Sequence, residues 1–350
     1  MKLLVSALEH SANVHLRYLT QELGNDVELY GIFDASLGKS IIDLRSTAIM
    51  GFVDALTKLP FFFRLKDQMV ELARDADKIL LIDSSGFNLP LAKAIRKRYP
   101  TKEIIYYILP QAWAWKKKRI PVLEKTITKL CSILPFEPSY YSPNAPIEYV
   151  GHPLLDEITV QKPSLEPTGI VTFMPGSRPG EIKKLMEIFK EVRARIKCKA
   201  MLVIPPHFTP EKIQELYGDT AAFTITHDAH TTLAQSDFAF ICSGTATLEA
   251  CLIKTPFVLV YIAKKLDYII GRALIKLKFA GLGNLLFMHR YGKPLHLEFI
   301  QNDVTVENLY NSYIQMDREK FFTDAGALRL LLQHGSAQRV SKIIKETTNA

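Results

Sequence analysis

The chain has 350 residues, 48% of them hydrophobic and 23% charged, with 17 glycines and 19 prolines. This is a globular composition with apolar mass for about two domains, which excludes a disordered, collagen-like or coiled-coil chain. Lys plus Arg exceed Asp plus Glu by 44 to 36, a net charge of +8, so the expected partner is anionic: nucleic acid, a phosphorylated small molecule or an acidic membrane surface.

Residues 1–10, MKLLVSALEH, hold one Lys and an apolar run that Glu9 ends too early for a secretory signal. The run predicts a first strand over residues 2–8. A helix over 14–23 and a strand over 27–33 follow. Residues 50–65, MGFVDALTKLPFFFRL, place Phe61, Phe62 and Phe63 in a row with Lys58, Arg64 and Lys66 around them. Such a run suits a core helix or a surface for acyl chains or a membrane interface. Residues 266–281 repeat this apolar–basic mixture. Further strands are expected at 78–84, 103–109, 132–136 and 147–150, with a clear helix over 88–98. Residues 161–168, QKPSLEPT, have two prolines and no apolar periodicity, and read as a linker.

Alternation then restarts. Strands are expected at 170–174, 200–204, 223–227, 238–242 and 257–262, and helices at 181–192, 210–216 and 246–253, with the last 45 or so residues helical. Short apolar strands alternating with amphipathic helices predict βαβ units and parallel sheets covered on both faces. The fold class is therefore α/β, two doubly wound Rossmann-like domains in tandem, with the ligand cleft expected between them at the carboxyl ends of the strands. No apolar stretch reaches the roughly 18–20 residues needed to span a bilayer.

Besides residues 50–65, four segments carry chemistry. MPGSRPGE, residues 174–181, follows a strand and opens a helix. Gly176 and Gly180 permit a tight turn, Ser177 and Arg178 add donors, and the helix start adds partial positive charge, which together suit a diphosphate. It is neither a Walker A loop nor GxGxxG, and an ordinary βα turn is the plain alternative. CSGTATLEA, residues 242–250, puts Ser243, Gly244 and Thr245 at a second such junction, with Glu249 a turn further on as a ribose acceptor. Ordinary capping explains that motif equally well. LLIDSSGFN, residues 80–88, ends a buried strand on Asp83, a candidate general base or a helix cap. LPQAWAWKKKR, residues 109–119, sets Trp113 and Trp115 before Lys116, Lys117, Lys118 and Arg119. That block suits a membrane surface, a nucleic acid or a solvated face. No RNA- or DNA-binding signature accompanies it, so nucleic acid is not expected. The histidines, His10 and His152 among them, are scattered without HExxH. The four cysteines, Cys131, Cys198, Cys242 and Cys251, form no CxxC pair or zinc spacing. A reducing compartment and no metal site follow.

In order and spacing these residues resemble the lipid-A-disaccharide synthase family. The resemblance is carried by Glu9 and Ser11, Met50–Val53, Ile82–Ser84 with Phe87 and Asn88, Pro110, and Trp113–Trp115. It continues through Leu134–Glu137, Val150–Pro153, Pro175–Arg178 with Glu181, Ser243–Glu249, Asn284–Leu286 and Glu298–Gln301. Two places depart from the family. Its first turn is usually G-E-x-S-G-D, which here reads LEHSAN, residues 8–13, with Asn13 in place of the acid. Its D-S-P-D-F-N loop reads DSSGFN, which leaves Asp83 as the only carboxylate there.

The resemblance implies an inverting GT-B glycosyltransferase of Gram-negative lipid A biosynthesis. It would transfer 2,3-diacylglucosamine from UDP-2,3-diacylglucosamine to 2,3-diacylglucosamine 1-phosphate, giving the β-1′,6-linked disaccharide 1-phosphate and UDP. It implies an acceptor and acyl-chain domain over residues 1–160, a UDP-sugar domain over 169–317, and helices over 318–350 packing back on the first domain. Asp83 is then expected as base and Arg178 as catalytic cation. Gly176, Ser177, Ser243, Gly244, Thr245, Glu249, Asn284, Glu298 and Gln301 would surround UDP. Glu9, Ser11, Asn13 and Asn88 would flank the acceptor. Phe61–Phe63 and Trp115–Arg119 would meet acyl chains at the cytoplasmic face of the inner membrane. No cofactor or metal is expected, and a homodimer is compatible with the resemblance. The competing expectations are another UDP-sugar protein, such as a 2-epimerase or a cell-wall N-acetylglucosaminyltransferase, or a non-catalytic anionic-lipid binder.

Overall fold

The structure, a computed structural model, describes residues 1–42, 59–262 and 278–346. The chain divides into two units, one formed by Met1–Glu157 with Gln333–Ala350, the other by Ile158–Leu332.

The first unit is built on seven strands: β1 Lys2–Ser6, β2 Glu28–Ile32, β3 Lys39–Ser40, β4 Lys78–Ile82, β5 Glu103–Tyr107, β6 Lys129–Ser132 and β7 Ile147–Tyr149. They form one sheet in the order β3-β2-β1-β4-β5-β6-β7, and every pairing is parallel. The unbroken apolar runs LLV and ILLI make this sheet because both faces are covered. Leu4, Ile79 and Leu81 point to one side, against the helices Leu59–Leu72 and Ser85–Arg98. Leu3, Val5, Leu80 and Ile82 point to the other, against His10–Leu23 and the last described helix, Ser336–Lys345.

The second unit repeats the plan with β8 Ile170–Met174, β9 Lys199–Val203, β10 Thr224–Thr226, β11 Phe238–Cys242, β12 Phe257–Tyr261 and β13 Glu298–Ile300. Their order is β10-β9-β8-β11-β12-β13, again parallel throughout. Phe173 stacks on Phe240 with centroids 5.1 Å apart and meets Phe189 edge-on at 5.4 Å, which seals the sheet against the helix Pro179–Arg195.

In each sheet the strand order reverses once, between β1 and β4 and between β8 and β11. Open α/β sheets bind ligands at the carboxyl ends of the strands flanking that reversal, because the crossovers leave to opposite faces and open a crevice there.

Three features differ from the sequence expectation. The strand expected at 132–136 lies earlier, at Lys129–Ser132. Pro135 cannot donate to a ladder, and Ser132 Oγ turns to Glu137 Oε2 at 2.6 Å, so residues 134–140 form a turn and a 3₁₀ segment. The short edge strands β3 and β13 lack a readable pattern. The chain returns to the first unit at Gln333 rather than near 318. Helix Arg318–Leu331 stays with the second unit, where Phe321 packs edge-on against Phe257 at 5.7 Å. Residues 161–168 form no helix or strand but are pinned to the second unit: the Lys162 amide donates to Ile253 O at 2.8 Å, and its buried ammonium faces Asp237 at 3.8 Å. Most of the apolar stretch 50–65 and all but four residues of 266–281 lie outside the described residues.

Candidate functional site

Asp83 and Glu9 follow β4 and β1, at the strand reversal of the first sheet. Asp83 and Ser84 both adopt left-handed backbone, with φ of 49° and 43°. Two consecutive non-glycine residues there are strained, and such strain persists only where surroundings over-determine it, typically at functional sites. The Asp83 amide donates to Tyr107 O at 3.1 Å. Its carbonyl accepts from Tyr106 Oη at 2.7 Å and from Asn88 Nδ2 at 2.9 Å. Asn88 Nδ2 also donates to Ile82 O at 3.1 Å, while Asn88 Oδ1 accepts from Ser6 Oγ at 2.6 Å.

Burial raises the Asp83 carboxyl pKa, partly offset by the Ser84 N–H and the nearby His15. Glu9 is raised by burial first and by the Asp83 charge second, against a hydrogen bond from Ser84 Oγ at 3.3 Å. Two carboxyls held at one strand reversal with raised proton affinity are suited to taking a proton from a bound hydroxyl. Asn13 does not face outward. Its Nδ2 donates to Ala7 O and Glu9 O, each at 2.8 Å, and its Oδ1 accepts from the Asp34 amide at 2.7 Å. Asn13 thus shapes the turn that presents Glu9. Ser11 is exposed.

The aromatic–basic block divides. Trp113 is buried edge-on against Phe136 at 4.8 Å. Lys117 and Lys118 are exposed, with Lys117 Nζ 5.7 Å from the Tyr140 ring centroid, and Lys116 is half-buried. Arg119 instead reaches the loop after β4, where Nη1 donates to Ser85 Oγ at 3.2 Å. The side chain of Trp115 lies outside the described set. The phenylalanine triplet also divides. Phe61 packs on the first core, Phe62 lies 6.2 Å from Phe87, and Phe63 is 58% exposed beside Lys66.

In the second unit, helices Pro179–Arg195 and Thr245–Ile253 begin directly after β8 and β11. Their positive dipole ends open at adjacent strand ends, as an anion site requires. Gly176 has φ of 94°, and a Cβ there would lie 3.1 Å from Cys242 Sγ and 3.2 Å from Glu181 Oε2, so the turn needs glycine. Ser177, Arg178, Gly244 and Thr245 are exposed around it. The Ser243 amide is not available to a ligand, since it donates to Val260 O at 3.0 Å. Glu249 hydrogen-bonds His230 Nε2 at 3.3 Å.

Two expected nucleotide contacts, Glu298 and Asn284, have protein partners. Glu298 accepts from the amides of Ala280 at 2.7 Å and Gly281 at 3.0 Å and from Asn284 Nδ2 at 2.8 Å, which caps the helix Leu282–Tyr291. Asn284 is fully buried, and its Oδ1 accepts from Leu295 N at 2.7 Å and His296 N at 2.9 Å. Gln301 holds a left-handed φ of 56° at the end of β13. Sequence reasoning missed Ser6, Tyr106 and the reach of Arg119 to Ser85. No local signal marks them, because each acts through a neighbouring strand or loop. Among the described residues no group of three or more His, Cys, Asp or Glu is placed to hold a metal ion. No described helix is long and apolar enough to cross a membrane.

Comparison with known proteins bears on the fold and the family. A solved structure of Acinetobacter baumannii MurG superposes with a TM-score of 0.57 at 15% identity, covering 99% of each chain. A UDP-N-acetylglucosamine 2-epimerase superposes at 0.55 and 13% identity, covering 100% of this chain and 98% of that one. At such identities the likeness establishes the fold alone, two Rossmann-like domains of the GT-B fold class. Sequence is more specific. The lipid-A-disaccharide synthase of Helicobacter acinonychis (strain Sheeba) is 45% identical over 355 residues, 98% of this chain and 97% of that protein. That of Campylobacter jejuni (strain ATCC 700819 / NCTC 11168) is 43% identical over 370 residues, covering 98% and 99%. The family model described as lipid-A-disaccharide synthetase matches residues 3–337, and the chain belongs to that glycosyltransferase family.

Proposed function

We propose that this glycosyltransferase moves 2,3-diacylglucosamine from UDP-2,3-diacylglucosamine to 2,3-diacylglucosamine 1-phosphate with Asp83 as the general base and Arg178 as the cation on the leaving diphosphate. In an inverting transfer the acceptor hydroxyl attacks the anomeric carbon opposite the departing UDP. Its proton needs an acceptor, and the Asp83 carboxylate, raised by burial and braced by Asn88 and Tyr106, is poised to take it. Glu9 lies beside Asp83 and shapes the local field. The growing negative charge on the diphosphate is met by the exposed Arg178, by Ser177 and by the two helix starts of the second unit. Such donors replace a metal ion, so full rate is expected in excess chelator.

Both substrates carry acyl chains, so the enzyme meets them at a bilayer, peripherally and at its cytoplasmic face. Lys117 and Lys118 supply attraction to anionic lipid, and Phe63 supplies apolar insertion.

The observation that carries the residue assignment is the strained, over-determined turn at Asp83 beside Glu9. The test is mass spectrometry of the product formed from defined diacylated substrates with EDTA present. A disaccharide 1-phosphate appearing together with UDP supports the reading. UDP release without disaccharide, or an obligatory Mg²⁺ or Mn²⁺, overturns it.

A further inference from the structure

The second unit's two strand-to-helix junctions, after β8 and after β11, meet at one buried side chain, Glu181. It sits in the first turn of the helix Pro179–Arg195 and is 9% exposed. Its Oε1 accepts from Arg178 Nη1 at 2.9 Å. Its Oε2 accepts from the Cys242 thiol, with Sγ 3.7 Å away. Its amide donates to Arg178 O at 3.0 Å. One carboxylate therefore joins the residue that follows β8 and its glycine turn to the last residue of β11. Gly176 makes the arrangement possible, since any side chain there would crowd both Cys242 Sγ and Glu181 Oε2.

We infer that Glu181 is a positioning residue for the transfer, holding the Arg178 guanidinium by one N–H so that its remaining donors face the diphosphate while anchoring the turn to β11. This rests on the reading of Arg178 as the diphosphate cation. The charge relationship fits. The Arg178 side chain is 75% exposed and its Glu181 partner 11% exposed, so the anchor is inside and the working end outside. Burial and the adjacent Glu181 carboxylate raise the Cys242 thiol to about 12, so sulfur stays a neutral donor to the carboxylate. A guanidinium has five N–H donors in a fixed fork. Fixing one constrains the plane of the others, and reaction geometry is sensitive at the ångström level.

The test is a double-mutant cycle on the full chain, using Arg178→Ala, Glu181→Gln and the pair, with kcat and KM for the UDP-sugar and thermal midpoints for each. Glu181→Gln is expected to lower kcat roughly tenfold or more, with donor KM within about twofold and UDP still bound. In the Arg178→Ala background the same substitution is expected to add little, because the residue acts through Arg178. If the two losses multiply, Glu181 acts independently of Arg178 and the inference fails. If Glu181→Gln keeps wild-type kcat, it fails as well. If Arg178→Ala itself stays within a few-fold of wild type, it is the diphosphate reading that has failed. Should Glu181→Gln not fold, Glu181→Asp, which keeps the charge and shortens the reach, takes its place in the cycle with the same expected non-additivity.

Discussion

Ser6 and Asn88, at the end of β1 and in the first turns of the helix after β4, are locked together beneath the Asp83 turn. The Ser6 hydroxyl donates to Asn88 Oδ1 at 2.6 Å, and both side chains are fully buried. Asn88 then has both amide hydrogens for the carbonyls of Ile82 and Asp83. The left-handed Asp83–Ser84 backbone is held by this amide, which makes Asn88 a brace for the Asp83 turn.

Asn88→Ala should therefore cost both stability and turnover. It leaves the Ser6 hydroxyl and the Ile82 carbonyl without this partner, at about 1–3 kcal/mol for each group left unsatisfied, while the Asp83 carbonyl keeps Tyr106 alone. Chemical denaturation and kcat measured together check this. A stable variant with unchanged kcat would show that the turn holds itself.

Asp83→Asn should fold normally and turn over about 10²–10⁴ times more slowly, the usual cost of removing a general base. Asparagine tolerates the left-handed φ of this position better than most residues, so the backbone survives. In the wild type, activity needs the ionised carboxylate. Because burial raises the Asp83 carboxyl, kcat/KM should fall with acid at a pH above the ordinary aspartate value of about 3.9. The pH–rate profile reads this directly, and an acid limb at or below that value would remove Asp83 from the role. Near-full rate in Asp83→Asn would make Glu9 the base.

Glu137 offers a stability readout. It is 1% exposed, its Oε2 accepts from Ser132, and its Oε1 has no partner among the described residues. Burial raises its carboxyl to about 8, against about 4.3 in an unfolded chain. Below about 4.3 both states are protonated and the group is neutral in its effect. From there up to about 8 the unfolded state releases the proton while the native state keeps it, so native stability is progressively lost as pH rises. Glu137→Gln, which still accepts from Ser132, should melt close to wild type at low pH and increasingly above it towards pH 8. Parallel thermal melts across that range decide it, and a constant gap would contradict the assignment.

The proposed membrane contact should separate within the phenylalanine triplet. Phe63→Ser removes an exposed ring and should cut the fraction bound to anionic vesicles at high salt, where lysine attraction is screened. Phe61→Ser should instead lower the melting temperature, since Phe61 packs on the core. Vesicle co-sedimentation and melting separate the two. If Phe63→Ser binds as wild type in high salt, the apolar contact lies elsewhere in the chain.

Much of this protein is legible locally. The apolar runs at residues 2–8, 78–84, 170–174 and 238–242 announce parallel strands because strands covered on both faces cannot alternate polar and apolar residues. The junctions at Asp83, Gly176–Arg178 and Ser243–Thr245 are readable because a strand end, a small-residue turn and a helix start are consecutive in the chain. What the sequence could not determine is which distant residues meet them. Strand order places β1 beside β4, and only then does Ser84, 75 positions away, reach Glu9. The same order lets Ser6 lock Asn88 and Tyr106 hold the Asp83 carbonyl. Asn13, Asn284 and Glu298 are expected ligands from the sequence, and the fold turns their polar atoms onto backbone N–H and C=O groups, the partners that main-chain polar groups require. A polar side chain's role depends on which unsatisfied backbone group lies nearest, and only the tertiary structure decides that.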